Sequence, residues 1–312
     1  MHPAPSIVFF TTASGAGYGL LVFASLGALV GSVPVTTTSG LVLLLPALLL
    51  VTAGLCSSTL HLGHPERAWR AFSQWRSSWL SREGVAAVAT YVPALVMAWL
   101  WISAERLAPI AASATVLLAL ATIYCTAMIY ASLQPIPRWH HPLVPPVYLA
   151  LGLASGTLVG LALAARLFGI GTPALLLGLI LLTAAWALKW RYWQSIDSAA
   201  PVAGTAEAIG LPERGPARLV EAPHTERNYI LDEMGYRIAR KHKQKLRRHA
   251  FVAGWAIPAA ALLLSLLTGP SLVPAVLSIG AACTLLGTLV ERWLFFAEAE
   301  HLVMLYYGKG SV

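Results

Sequence analysis

The sequence predicts an all-α fold, a polytopic membrane protein of eight transmembrane helices, and three observations carry that expectation. Apolar residues make up 57% of the 312 residues and charged residues only 11%, against the roughly 25% charged residues of ordinary soluble domains. Mean hydropathy is +0.70. The apolar residues fall into eight runs of about 20 residues, each long enough to cross a hydrocarbon core of about 30 Å as a helix.

In chain order the runs cover residues 8–32, 39–60, 84–104, 109–131, 143–165, 172–190, 250–268 and 271–296. The first is kept as a span: Met1-His2-Pro3-Ala4-Pro5-Ser6 lacks the basic start of a signal peptide, and the run after it is too long for one. It carries Ser14, Gly15, Ala16, Gly17 and Gly19, small residues that let a second helix approach its backbone. Pro46, Pro93 and Pro258 lie inside runs, where neighbouring helices satisfy the carbonyls they free and only local kinks are expected. Cys56, Cys125 and Cys283 are scattered through apolar runs. Their spacing supports no disulfide framework, zinc site or iron-sulfur site. The chain thus reads as a single membrane domain, 1–312, with no β-sheet domain and no soluble part beyond a long connection, 191–249, between spans six and seven.

Charge gives the orientation. Of the 21 Lys and Arg residues, 19 fall on the side shared by both termini, and only Arg106 and Arg166 fall on the other. Basic residues mark the cytoplasmic side, most strongly near span ends such as Arg67 to Arg82 and Arg240 to Arg248. Both termini are therefore expected in the cytoplasm. The net charge of +8 reads as loop charge facing anionic headgroups or partner proteins, not nucleic acid. The long connection begins with Pro, Gly and Ala among scattered acids and becomes basic after Gly235, as either a lipid-facing basic helix or a docking surface.

One polar stretch between spans two and three concentrates the chemistry: His61-Leu62-Gly63-His64-Pro65-Glu66-Arg67-Ala68-Trp69-Arg70, then Trp75, Arg76, Trp79 and Ser81-Arg82-Glu83-Gly84. His61 falls at the C-terminal end of a helix, where the dipole favours a protonated imidazole. Pro65 ends that helix and is placed to start a short interfacial one. Ser81 is the expected N-cap of span three, which puts Glu83 in its first turn. One basic and one acidic titratable group are thus aimed at the same membrane edge. A quinone headgroup needs a hydrogen-bond partner at a carbonyl, a proton path to water and a flat apolar slot; His61, Glu83 and the rings of Trp75 or Trp79 supply those three. The same residues also suit a structural role, His61 ending one helix and Glu83 complementing the dipole of the next.

The run His61-Leu62-Gly63 through Glu66-Arg67-Ala68-Trp69, followed by Trp75-Arg76-Ser77-Ser78-Trp79-Leu80-Ser81-Arg82-Glu83 and by Glu291-Arg292-Trp293-Leu294-Phe295-Phe296 near the end, resembles the dimethyl sulfoxide reductase anchor subunit (DmsC) family. The resemblance implies a membrane anchor in the bacterial inner membrane that holds a molybdopterin catalytic subunit and an iron-sulfur subunit, exchanges electrons with menaquinone or ubiquinone, and has no haem of its own. It places the quinone-binding residues at His61 and Glu83, with Arg82, Trp75 and Trp79 beside them, and turns Arg67, Arg70 and Arg76 toward the iron-sulfur subunit. No catalytic residue and no metal ligand is assigned to the chain itself. Within the family, a cytoplasmic catalytic side is that of the membrane-bound sulfite dehydrogenase, so the expected role is passing electrons from sulfite oxidation to quinone. An anchor for a dimethyl sulfoxide or other oxyanion reductase is the alternative, and a passive anchor without a redox site is the third reading.

Two rivals differ in chemistry. A cytochrome b anchor needs facing histidines, and His61, His140, His141, His249 and His301 all lie near one membrane face. An ion-coupled transporter needs ionisable groups near the bilayer midplane, where the eight runs place none. The charge count is checked by reporter fusions: tags near Arg106 and near Gly204 are expected on opposite sides of the membrane, the second in the cytoplasm.

Overall fold

The structure is a computed structural model that describes residues 4–60, 64–215, 217, 220, 237–307 and 310–312. Among these residues it has eight helices long and apolar enough to cross a membrane. They are α1 (Pro5–Leu29), α2 (Thr37–Thr59), α3 (Trp79–Ala104), α4 (Pro109–Ala131), α5 (Val144–Ala165), α6 (Thr172–Ser198), α7 and α8 (Val273–Ala297). Helix α7 joins Arg237–Phe251, a π-helical turn Val252–Ala256 and Ile257–Leu267. No strand forms among the described residues beyond an isolated bridge between Gly204 and Ser311.

Local chemistry sets the helix starts. Five of the helices, α1, α4, α5, α6 and α8, carry proline in their first two positions, where the missing N–H has no helical partner to lose. Helix α2 starts on a reciprocal cap between Thr36 and Ser39. The cap of α3 is Ser78, whose hydroxyl faces the Ser81 amide, and not Ser81 as expected. Trp79 and Leu80 therefore belong to the helix, because Ser78 is the first hydroxyl with extended backbone ahead of the apolar run. Glu83 moves out of the first turn as a result. The segment before α3 is a 3-10 helix, Pro65–Gln74, opened by its proline as expected.

Helix α1 is the centre of the bundle and packs against α2, α4, α5 and α8. Its small residues make that possible: a Cβ on Gly19 would stand 2.1 Å from the Gly152 carbonyl oxygen, and one on Gly156 2.2 Å from the Gly19 carbonyl carbon. Backbone-to-backbone contact of this kind replaces the hydrophobic drive that lipid removes. The outward faces of α2 and α3 present Leu41, Leu45, Leu49, Val88, Val92 and Leu95, as a lipid-facing surface must.

Side-chain pairs show that the helices alternate. At one end of the bundle the Thr37 amide donates to Glu105 at 2.8 Å, Trp101 Nε1 donates to Ser39 at 3.1 Å, and Arg166 reaches Ser278 at 3.0 Å. The Thr37 amide holds the Glu105 carboxyl below the usual carboxylate range. At the opposite end Arg138 meets Glu300 at 3.2 Å, and Arg247 meets Asp197 at 2.6 Å and Glu298 at 2.5 Å. The described parts of both chain ends lie at that second end. Helices extend into the expected connection 191–249 from both sides, α6 to Ser198 and α7 from Arg237, since polar amphipathic sequence continues a helix past the bilayer edge without interruption. After α6, Val202 and Ala203 pair with Val312 through backbone hydrogen bonds, and Met304, Leu305 and Val312 form a small apolar cluster there.

Candidate functional site

The segment that leads into α3 is held by Arg82. Its Nε donates to the Trp75 carbonyl at 3.0 Å and its Nη2 to the Arg76 carbonyl at 2.6 Å, while the guanidinium covers the Trp79 ring at 4.2 Å. Trp79 packs edge-on against Tyr124 of α4, and Phe72 closes over Gly84, where a Cβ would stand 3.2 Å from its ring. Arg82 and Trp79 thus come together as one unit, but Trp75 stays out, 53% exposed, with Arg76 over its ring at 5.4 Å. Arg67 pairs loosely with Glu66 at 3.7 Å, and Arg70 lies over Trp69 at 5.6 Å. All three arginines expected to face a partner, Arg67, Arg70 and Arg76, are exposed. His61 lies outside the described residues.

Glu83 turns inward. One helical position beyond Arg82, about 100° around the helix, its carboxylate is only 5% exposed and accepts a hydrogen bond from the Thr126 hydroxyl of α4. Deeper in the bundle, Thr90, two turns along α3, and Thr122, one turn back along α4, repeat the contact at 3.2 Å. Beside them Tyr18, Leu48, Val51, Thr90 and Tyr91 pack where α1, α2 and α3 meet, leaving a narrow crevice with no room for a water molecule. Thr52 and Tyr91 bridge those two helices at 2.6 Å. The arrangement gathers phenol and hydroxyl groups at an apolar seam of the same helices that hold the buried carboxyl, groups able to hydrogen-bond a carbonyl compound and exchange its protons once the helices part to admit it.

A family model for the DMSO reductase anchor subunit (DmsC) matches residues 1–298. The chain belongs to the DmsC family. It is also 35% identical to a sulfite dehydrogenase subunit from Allochromatium vinosum over 336 aligned positions, which cover 98% of this chain and 99% of that one. Eight apolar helices and this membership make the chain a multi-pass membrane anchor subunit.

This DmsC chain also buries charges that its sequence did not single out. Lys189 of α6 meets Glu291 of α8 at 2.5 Å with both side chains at most 1% exposed. Arg292 Nε holds the other Glu291 oxygen at 2.6 Å, and its guanidinium lies 3.7 Å from the centre of the Tyr148 ring. Nη1 and Nη2 of Arg292 have no hydrogen-bond partner among the described residues. Counted by sequence position, Lys189 and Arg292 fall among the edge charges; the structure moves both inside. The available signal was their place in the runs: Lys189 one residue before the end of an expected span, and Glu291 and Arg292 inside one, where an unpaired charge is costly.

The histidines at this end hold the loop between α4 and α5. His140 Nδ1 meets the Ala131 carbonyl at 2.6 Å, and His141 Nε2 meets the Ser195 hydroxyl at 2.9 Å. Burial pushes the His141 imidazole below its ordinary value.

The buried charges make a stability prediction. Glu291→Gln leaves Lys189 and Arg292 without their shared anion, and breaking a buried pair in this way costs roughly 3–5 kcal/mol. The purified variant is expected to unfold at a clearly lower temperature than the parent.

Proposed function

We propose that this anchor subunit is quinone-reactive: it joins a molybdopterin catalytic subunit and an iron-sulfur subunit to the bacterial inner membrane and passes electrons from sulfite oxidation to membrane quinone. The observation that carries the reading is Glu83, a carboxyl buried within the bundle and held by Thr126. An interfacial glutamate that only complemented the dipole of α3 would have no reason to turn into the bundle and accept that buried hydrogen bond, since burial of an ionisable group costs several kcal/mol.

A quinone bound in the crevice accepts two electrons and two protons. Tyr91 and Thr90 wall the crevice from α3, and Tyr18 closes it from α1. Glu83 supplies protons, and Thr126 fixes the direction of its carboxyl. His61, two residues beyond α2, is assigned to a quinone carbonyl by the family resemblance. Arg82 keeps the lead-in segment against α3, and Trp79 closes that edge from lipid. Trp75, exposed and remote from Glu83's pocket, acts with Arg67, Arg70 and Arg76 on the outer surface, where an iron-sulfur subunit docks and brings its cluster to the site.

The sulfite assignment rests on two supports. The relative from Allochromatium vinosum is named as a sulfite dehydrogenase subunit and matches nearly end to end. The distribution of basic residues, 19 to 2, puts the motif-bearing edge and the connection 191–249 in the cytoplasm, together with both termini. The family description, a DMSO reductase anchor subunit, keeps dimethyl sulfoxide reduction as the second reading.

The purified complex is expected to reduce quinone with sulfite. Glu83→Gln keeps the shape and removes the acid, so quinone-linked turnover should fall about 100-fold while dye-linked oxidation of sulfite persists. Unchanged quinone turnover in this variant overturns the site. Activity as a quinol-dependent sulfoxide reductase, with none toward sulfite, overturns the substrate and leaves the anchor role standing.

A further inference from the structure

Glu83 exchanges protons with a quinone only if it can recover them, and with 5% exposure it has little direct access to water. The side facing the bundle is different. Thr126, its hydrogen-bond donor, also lines a cavity of about 20 Å³ between α1, α4, α5 and α8, room for about one water. Eight of the fourteen residues around that cavity carry hydroxyls. Some hydroxyls, such as those of Thr12 and Ser155, are spent on carbonyls of their own helices, the ordinary use of Ser and Thr inside membrane helices. Tyr18, Tyr148 and Thr288 are not: Tyr18 turns its hydroxyl toward Thr122 and Tyr148 toward Arg292, and the Thr288 hydroxyl is buried without a partner among the described residues. Arg292 lines the same cavity with two partnerless nitrogens while 2% exposed. Orphaned buried donors are costly, so the Thr288 hydroxyl and the Arg292 nitrogens around one water-sized space mark a site made to be hydrated.

The far side of the cavity continues as charge. Arg292 holds Glu291, and Glu291 holds Lys189. Lys189 lies near enough to Glu298 to interact electrostatically. Glu298 holds Arg247, and Arg247 holds Asp197, which is 38% exposed. Polar groups therefore run across the bundle from α3 to the surface between α6 and α7.

From this geometry we infer that the hydroxyl-lined cavity is the proton route of Glu83, entered at the Asp197 end and leaving through Thr126. The inference rests on the proposed quinone role of Glu83. For each proton delivered, an O–H bond forms on the quinone oxygen as the Glu83 O–H breaks. The Thr126 hydroxyl then gives its proton to Glu83 and takes one from water in the cavity, which is refilled through the Glu291 and Lys189 end. The two electrons come from the iron-sulfur partner. Arg292 never releases a proton; its fixed charge and free nitrogens orient the water. Thr126 and Tyr148 are positioning residues that touch the route and not the quinone.

The test uses the purified complex and compares quinone-linked turnover of Thr126→Val, Thr126→Ser, Tyr148→Phe and Glu83→Gln in H2O and D2O. Thr126→Val should lower kcat about tenfold with KM for quinone unchanged and a larger solvent isotope effect, and Thr126→Ser should restore both. Tyr148→Phe removes the hydroxyl and keeps the ring that Arg292 covers, so it assembles and reports even if Thr126→Val does not; a lowered kcat with a raised isotope effect is expected. Thr284→Val, a buried hydroxyl outside the cavity, is the control and should behave as the parent. If Glu83→Gln is inactive while Thr126→Val and Tyr148→Phe show parental kcat and isotope effect, Glu83 draws protons at its own edge and the route is wrong. If Glu83→Gln is fully active, the quinone role itself fails. A rise in KM at constant kcat in Thr126→Val assigns Thr126 to binding and overturns the route as well.

Discussion

A charge inside hydrocarbon is costly unless another helix supplies its partner, and that constraint arranges this anchor subunit. Nearly every ionic contact gathers at one end of the bundle. Glu83 sits about 6 Å along α3 from its start, and Arg292 about 7 Å from the end of α8, by the helical rise. The charges that enter the bundle do so in company: Lys189, Glu291 and Arg292 from α6 and α8, and Glu83 with Thr126 from α3 and α4.

That arrangement depends on how closely α1 lies against its neighbours. With Gly19 and Gly156 in backbone contact, α1 and α5 leave room for no large side chain where they cross, and the space that remains is lined by hydroxyls and the Arg292 guanidinium. Packing and chemistry are therefore coupled. The α1 to α5 seam is closed by backbone contact, while the crevice between α2 and α3 is the proposed entry for a lipid-soluble carbonyl compound.

Much of the fold was legible in the residues because hydrocarbon permits so few backbones. Eight apolar runs became eight helices, and the small residues of α1 became the central seam. The finer errors have a common cause. Ser78 and Ser81 are both suitable caps, and the extended backbone at Ser78 puts the helix start at the first. Glu83 was legible as a titratable group at an edge, but the sequence carries no signal for the direction it faces, which is set by Thr126 some forty residues on. Glu291 and Arg292 were visible within an apolar run, yet their partner Lys189 lies a hundred residues away on a different helix. The hydroxyl cavity draws on four helices, and no local pattern in any of them announces it.

The central claim is that quinone meets this chain in the crevice between α2 and α3, beside Glu83. A density map of the whole complex, prepared with its copurified quinone or with a quinone-site inhibitor, measures this directly. The account predicts a ring within hydrogen-bond reach of the Glu83 side of the crevice, between Tyr91 and the edge closed by Trp79. A quinone resolved elsewhere, with the crevice filled only by acyl chains, would contradict it.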